Sequence, residues 1–171
     1  MKRLYAFDFD GTLTTADTLL AFIRYACGTW RFIVGFLLHS PLLVLMKLKL
    51  YPNYRAKQRI FSWYFRGMEL KTFDALCLQF AERNACLFSE GESVCVVSAS
   101  IDNWVRPFFT NMATNSRSNF CVLGTQVEAD NNGLLTGRFL TNNCYGAEKV
   151  ERLCKQYPDL TIHRNDYVIE A

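Results

Sequence analysis

The chain has 171 residues, of which 50% are hydrophobic and 15% aromatic, and its net charge is +3. This length suits one domain, or one domain with an insertion, and the apolar content excludes a disordered protein. Seven cysteines without a C-x-x-C pair argue against a disulfide framework and against a zinc site. We therefore expect a cytoplasmic protein, and since the first apolar segment begins at Leu4 we expect no signal peptide.

The charge is distributed unevenly along the chain. Residues 24–66 contain eight Lys or Arg and no Asp or Glu, so the rest of the chain carries about −5. Segregation of this kind favours an anionic partner for the middle of the chain. We expect no nucleic-acid partner.

The first predicted element is a buried strand that starts at Leu4 and runs into the segment FDFDGTLT. Asp8 and Asp10 follow it, at the strand end where open parallel sheets bind ligands, and alternation along an extended chain points both carboxylates to one side. Two adjacent negative charges need a cation or a shared proton. Gly11 permits a sharp turn that exposes the amides of residues 9 to 12 to an anion.

Three interpretations of this segment compete. A calcium loop of the EF-hand type also begins with D-x-D, but it requires Glu at its twelfth position, which is Leu19 here. The second interpretation is a strand end with solvated acids. The third is that FDFDGTLT resembles motif I of the haloacid dehalogenase (HAD) superfamily, whose members are mostly phosphatases. The resemblance implies that Asp8 attacks phosphorus and that Asp10 protonates the leaving group and later activates water. It also places Gly11 and Thr12 against the phosphate.

The resemblance further implies Mg²⁺ as the cofactor, held by Asp8 and Asp10 together with oxygens of the phosphate. A carboxylate can serve as the nucleophile, and an aspartyl-phosphate intermediate divides one displacement into two easier ones. The cation offsets the negative charge that accumulates at phosphorus.

Helical segments are predicted between this strand and the next. Apolar spacing predicts helices over 17–27, which Gly28 ends, over 53–66 and over 70–81. An all-helical insertion at this place resembles the C1-type cap of the HAD superfamily. This implies a catalytic core of residues 1–16 and 92–171 and a cap of residues 17–91.

Residues 30–50 are the most apolar part of the chain. The fifteen residues from 32 to 46 are interrupted by Pro41 and fall short of the roughly 20 that cross a bilayer, so we expect no transmembrane span. One interpretation is a buried helical hairpin bent at Ser40-Pro41. The other is a surface element that dips into a membrane or grips an acyl chain, which the flanking cations favour: Arg31, Lys47, Lys49, Arg55, Lys57 and Arg59.

A second short strand is predicted over 93–97, directly before Ser98. This place resembles motif II of the superfamily, whose hydroxyl binds the transferring phosphoryl group, and Ser98 matches it. Ser100 is expected to cap the N-terminus of the next helix.

The sequence DNNG between two apolar segments, 120–127 and 134–140, predicts a hairpin whose first half supplies the third strand of the sheet. A helix is then predicted over 146–157, with Lys149 in its first turn, where the helix dipole opposes a cation. One interpretation is a solvated lysine eased by neighbouring glutamates. The other is that CYGAEKVERL resembles motif III of the superfamily, which implies that Lys149 steadies the phosphoryl group and Asp8.

A fourth strand is predicted over 167–169, after which HAD proteins carry motif IV, G-D-x-x-x-D, which completes the magnesium site. Asp166 and Glu170 do not match that motif. We therefore expect a shortened product or a weakened enzyme, and a phosphate-binding protein without activity is the alternative.

The resemblance as a whole predicts an α/β fold, a Rossmann-like parallel sheet with an inserted helical cap. It implies a magnesium-dependent phosphomonoesterase of the phosphoserine-phosphatase-like branch. The apolar, basic insertion and CYGAEKVERL resemble the phosphatidylglycerophosphatases of that branch, which implies a lipid or other amphiphilic phosphate and peripheral membrane contact. A small phosphorylated metabolite such as phosphoserine is the alternative substrate.

Overall fold

A computed structural model describes residues 4–14, 17–84, 93–109 and 120–158. The predicted fourth strand, with Asp166 and Glu170, lies outside the described residues, as does the connection before the second strand. The elements of the described ranges are β1 Leu4–Phe7, α1 Thr18–Cys27, α2 Thr29–Lys47, α3 Asn53–Phe65, α4 Leu70–Arg83, β2 Ser93–Ile101, α5 Asp102–Val105, a 3-10 turn Arg106–Phe109, β3 Phe120–Thr125, β4 Val127–Ala129, β5 Leu135–Phe139 and α6 Ala147–Gln156.

The strands β1, β2 and β3 form a parallel sheet with β2 in the centre. Phe7 at the end of β1 is paired with Val96 of β2, so the carboxyl ends of these two strands lie at one edge of the sheet. The predicted α/β fold with a parallel sheet is confirmed. Asp8 and Ser98 follow the paired residues and are therefore brought to the same edge.

The strand β2 runs four residues beyond its predicted end, to Ile101. The expectation that Ser100 caps the next helix is wrong, because its hydroxyl donates to the carboxylate of Asp10 instead. Helix α5 begins at Asp102 without a side-chain cap. A hydrogen bond to a charged acceptor is stronger than one to a neutral backbone group, which explains the preference.

The predicted hairpin is confirmed, with a division at Gln126. Residues before it belong to β3 in the parallel sheet, and those after it form the antiparallel pair β4–β5. Gly137 of β5 lies so close to Ser62 of α3 that a Cβ atom there would overlap the serine side chain. The hairpin therefore packs directly on α3.

One aromatic core joins the helices to the sheet. Phe22 of α1 stacks on Trp104 of α5 with ring centroids 4.9 Å apart. Phe9, which separates the two aspartates of the first motif, is 1% exposed and contacts Phe108 at 5.2 Å. Burial of this ring fixes the backbone between Asp8 and Asp10, so their positions are set by core packing.

Helix α2 differs from the predicted buried hairpin in both its shape and its burial. It is continuous from Thr29 to Lys47 through Pro41, so the expected bend at Ser40-Pro41 is wrong. Proline removes the amide that would bond the carbonyl of Leu37, and the hydroxyl of Ser40 donates to that oxygen at 2.8 Å instead. The buried interpretation is also wrong, since Gly35 is the one buried residue of this helix.

Candidate active site

Asp8 lies directly after β1 and accepts two hydrogen bonds. Its Oδ1 accepts from the amide of Phe9 at 2.8 Å, and its Oδ2 accepts from Nζ of Lys149 at 2.5 Å. The amide of Phe9 is thus engaged by Asp8 and does not face an anion as expected. The two side chains of the ion pair are 34% and 23% exposed, so the pair is within reach of a ligand from solvent.

Lys149 reaches Asp8 from the first turn of α6, 141 residues further along the chain. If Lys149 were simply solvated, neighbouring glutamates would have to offset its positive charge against the helix dipole. Glu148 instead pairs with Arg152 at 2.9 Å, and this hydrogen bond lowers the pKa of Glu148 below its usual value. The cation of Lys149 is therefore directed to the carboxylate at the end of β1.

Asp10 is held by two buried hydroxyl groups. Its Oδ1 accepts from the amide of Thr18 at 2.8 Å and from the hydroxyl of the same residue at 2.5 Å, and its Oδ2 accepts from the hydroxyl of Ser100. Thr18 and Ser100 are 4% and 1% exposed. Donors from α1 and from β2 thus fix the orientation of this carboxylate.

Ser98 lies two residues before Ser100 and is buried. Its Oγ accepts the amide hydrogen of Ser100 at 3.0 Å, so the two serines form one turn of polar groups beside Asp10. The Ser98 hydroxyl donates no hydrogen bond to any of the described residues. This donor suits an oxygen of a bound phosphate.

Gly11 and Thr12 form the turn after Asp10. The amides of Leu13 and Thr14 both donate to the carbonyl of Phe9 at 3.0 Å, which closes a tight loop. Gly11 has φ of 78° and is exposed, whereas Thr12 is half-buried. The turn borders the site, and the predicted phosphate contacts of these two residues stay predictions.

Lys57 also lies at the site, although its place in the sequence indicates only one of the cations that flank residues 30–50. It lies on α3, and its Nζ donates to the carbonyl oxygen of Ala99 at 2.5 Å, between Ser98 and Ser100. The same oxygen accepts from the hydroxyl of Thr125 at 3.0 Å. A weak sequence signal exists, since Lys57 lies four residues before Phe61 on the buried face of α3.

Burial of its ammonium lowers the pKa of Lys57 below the usual value, while the carboxylates of Asp10, Asp17 and Asp8 oppose the shift. The described ion pairs of the chain do not include Lys57. Its charge is therefore balanced at a distance by the aspartates of the site. Lys57 and Lys149 give the site two cations, one from the helical insertion and one from α6.

Magnesium prefers oxygen ligands and keeps several waters, so one or two carboxylates suffice. Asp8 offers partly exposed carboxylate oxygens at the edge of the sheet. Asp8 accepts two hydrogen bonds from the described residues and Asp10 accepts three. Both carboxylates therefore keep acceptor capacity for a cation, and Asp8 keeps more of it. No group of three or more His, Cys, Asp or Glu lies together within the described residues. The donor set fits a magnesium ion bound chiefly through Asp8, with phosphate and water as further ligands.

Residues 5–167 match the sequence model of the haloacid dehalogenase-like hydrolase family. Protein CicA of Caulobacter vibrioides is 28% identical over 176 residues, which cover 93% of this chain and 75% of that protein. The similarity extends over the helical insertion as well as over the motifs.

Solved structures share the fold at 16% sequence identity. A protein of unknown function from Bordetella pertussis has a TM-score of 0.72, over 98% of this chain and 80% of that one. A HAD family hydrolase from Salmonella enterica has a TM-score of 0.60 over 95% of this chain. The present chain spans about half (53%) of the length of that hydrolase. A phospho-aspartyl intermediate analogue of phosphoserine phosphatase has a TM-score of 0.52. The family match covers nearly the whole chain and confirms the prediction from the first motif: this chain belongs to the haloacid dehalogenase-like hydrolases, a family of enzymes.

Proposed function

We propose that this protein is a magnesium-dependent phosphomonoesterase in which Asp8 is the nucleophile and Asp10 the general acid and base. The observation that carries the proposal is the 2.5 Å ion pair between Asp8 and Lys149, which joins two distant motifs at the carboxyl edge of the sheet. A carboxylate held beside a cation and beside a second, separately fixed carboxylate is an arrangement suited to phosphoryl transfer.

The reaction divides into two displacements. In the first, an oxygen of Asp8 bonds to phosphorus, the bond from phosphorus to the ester oxygen breaks, and Asp10 gives its proton to that oxygen. In the second, Asp10 takes a proton from water, the water oxygen bonds to phosphorus, and the bond to Asp8 breaks. Phosphate leaves and both carboxyl groups return to their starting state.

The remaining polar residues hold the group that is transferred. Lys149 and Ser98 offer donors to the phosphate oxygens that take no part in bond breaking. Thr18 and Ser100 keep the carboxyl of Asp10 in one orientation, toward the leaving oxygen. Asp8, with Asp10 beside it, would hold magnesium, which would supply positive charge that offsets the charge on the phosphoryl group.

For the substrate we propose an amphiphilic or lipid phosphate, reached by peripheral contact with a membrane on its cytoplasmic side. Residues 24–66 carry eight cations and no acid, so this part of the insertion, which contributes Lys57, offers no carboxylate to the amine of a polar metabolite such as phosphoserine. Its surface is also strongly apolar along α2. Both properties suit a ligand that combines phosphate with acyl chains.

The proposal is tested by release of inorganic phosphate from an aryl phosphate in the presence of Mg²⁺. We expect Asp8→Asn to lower kcat by at least about 1000-fold, and Glu82→Gln, a change of an exposed acid on α4, to leave it unchanged. Chelation of the metal should stop turnover and added Mg²⁺ should restore it. Equal turnover by wild type and Asp8→Asn, or no turnover by either, would rule out the proposed catalytic activity. The alternative would then be a phosphate-binding protein without activity.

A further inference from the structure

Helix α2 is attached to the protein along one side. The hydroxyl of Tyr64 on α3 donates to the carbonyl of Phe32 at 2.9 Å, and His39 lies against Trp63 with ring centroids 5.9 Å apart. Gly35 lies so close to Tyr64 and Trp63 that any Cβ atom would overlap their rings. This inner side fastens α2 to α3 over about two turns.

The opposite side of α2, here called the outer face, is apolar and exposed. Leu37 and Leu38 at its centre are 69% and 63% exposed, and Trp30 at its start is 78% exposed. Soluble monomers rarely expose so large a continuous apolar surface without a partner. The outer face consists of Trp30, Ile33, Val34, Leu37, Leu38, Val44, Leu45 and Leu48.

The charges around the outer face are of one sign. Arg31 lies near its start, Lys47 and Lys49 lie near its end, and no acid occurs in residues 24–66. The described ion pairs of the chain do not include these cations. A second copy of the chain would bring the same cations together, whereas an anionic lipid surface attracts all of them.

The helix is long and apolar enough to cross a membrane by length and composition. Crossing would require it either to leave α3 or to carry α3 into the hydrocarbon. Leaving α3 would break the packing of Gly35 against Tyr64. Carrying α3 into the hydrocarbon would bury Arg55, Lys57 and Arg59 in lipid, which costs several kcal/mol. Neither cost arises if the helix lies flat.

We infer that α2 docks lengthwise on an anionic bilayer, with its outer face in the interfacial region and its axis parallel to the membrane plane. Its neighbour α3 then lies directly above the headgroups and holds Lys57 at Ala99. Docking does not depend on catalysis. Its consequence, that the site takes its phosphate ester from the same membrane, rests on the proposed function.

Flotation with vesicles of phosphatidylcholine alone, or mixed with phosphatidylglycerol, tests the docking. We expect wild type and Asp8→Asn to float with the anionic vesicles at low salt and not with the neutral ones. The double variant Leu37→Glu, Leu38→Glu should bind the anionic vesicles at least tenfold more weakly than wild type. The control Leu140→Glu changes an equally exposed leucine at the end of the hairpin and should bind as wild type does. Absence of vesicle binding by wild type overturns docking, and self-association that the double change abolishes would assign the outer face to a second copy.

Depth-dependent quenching by brominated lipids tests the orientation. The single change Trp30→Phe leaves only Trp63 and Trp104, so its signal is subtracted from that of wild type and from that of Leu38→Trp made in the Trp30→Phe background. The remaining signals of positions 30 and 38 should both be quenched best by shallow bromines. Strongest quenching of the central position by deep bromines would mean that the helix crosses, and would overturn the flat arrangement.

The catalytic proposal and the docking are tested separately. Asp8→Asn should lose phosphate release but still float with the vesicles. If wild type releases no phosphate but floats, only the proposed function fails.

Discussion

Lys57 donates a 2.5 Å hydrogen bond to the carbonyl oxygen of Ala99 and thereby joins the helical insertion to the end of β2. The contact brings a buried ammonium to the backbone between Ser98 and Ser100, near both aspartates of the site. In the proposed reaction, an arriving phosphate ester would meet this cation together with Lys149.

Replacement of this cation should weaken the use of substrate. We expect Lys57→Met, which keeps the unbranched stem but removes the charged end, to lower kcat/KM for a phosphomonoester by roughly 10- to 100-fold, the loss of one hydrogen bond to a charged group. Lys71→Met removes an exposed cation from α4 and should have no effect. Steady-state phosphate release measures both, and equal kinetics for Lys57→Met and wild type would show that Lys57 does not contact the substrate.

The same variant should change stability in a pH-dependent way. Because burial lowers the pKa of Lys57, the unfolded chain binds the proton more tightly, and wild-type stability rises with pH between the folded and the unfolded pKa. We expect Lys57→Met to be more stable than wild type near neutral pH, and the difference to shrink as pH rises through the lowered pKa. Urea unfolding of both proteins from pH 7 to 10 measures this, and a difference that grows with pH would contradict the burial of a charged lysine.

Ser100 should act through Asp10. Loss of its hydroxyl in Ser100→Ala leaves Oδ2 of Asp10 without this donor, and we expect kcat to fall about tenfold or more with little change in KM. Ser100→Thr, which restores a hydroxyl, should recover part of the rate. Thr72→Ala, which removes an exposed hydroxyl from α4, serves as the control. A rise in KM at constant kcat would instead indicate a role in substrate binding.

Gly35 should be needed for the attachment of α2. A larger side chain has no room beside Tyr64 and Trp63, so we expect Gly35→Val to lower the free energy of unfolding by about 1–3 kcal/mol, the usual cost of overpacking. Leu37→Ala on the outer face should cost little, because that side chain is already exposed. Urea unfolding compares the two, and a fully stable Gly35→Val protein would mean that α2 is not held against α3.

Short-range patterns were sufficient for most of the fold. The helices α1, α3 and α4, the DNNG hairpin and the strand before Asp8 were predicted because their apolar spacing and turn residues act over a few positions. The nucleophile candidate Asp8 and its partner Lys149 were predicted from motifs whose residues are contiguous. The pairing of these two residues also agrees with a parallel sheet, since such sheets gather polar groups at one edge.

Other features depend on which surfaces meet in three dimensions. Lys57 and Ala99 are 42 residues apart, and Asp10 and Ser100 are 90 apart, so no local pattern distinguishes these partners from other polar residues. The continuity of α2 through Pro41 depends on one serine hydroxyl, and its exposure depends on the single side that α3 covers. The spacing of apolar residues predicts that a helix has an apolar face. Burial of that face requires an opposing surface, and α2 has such a surface on one side only.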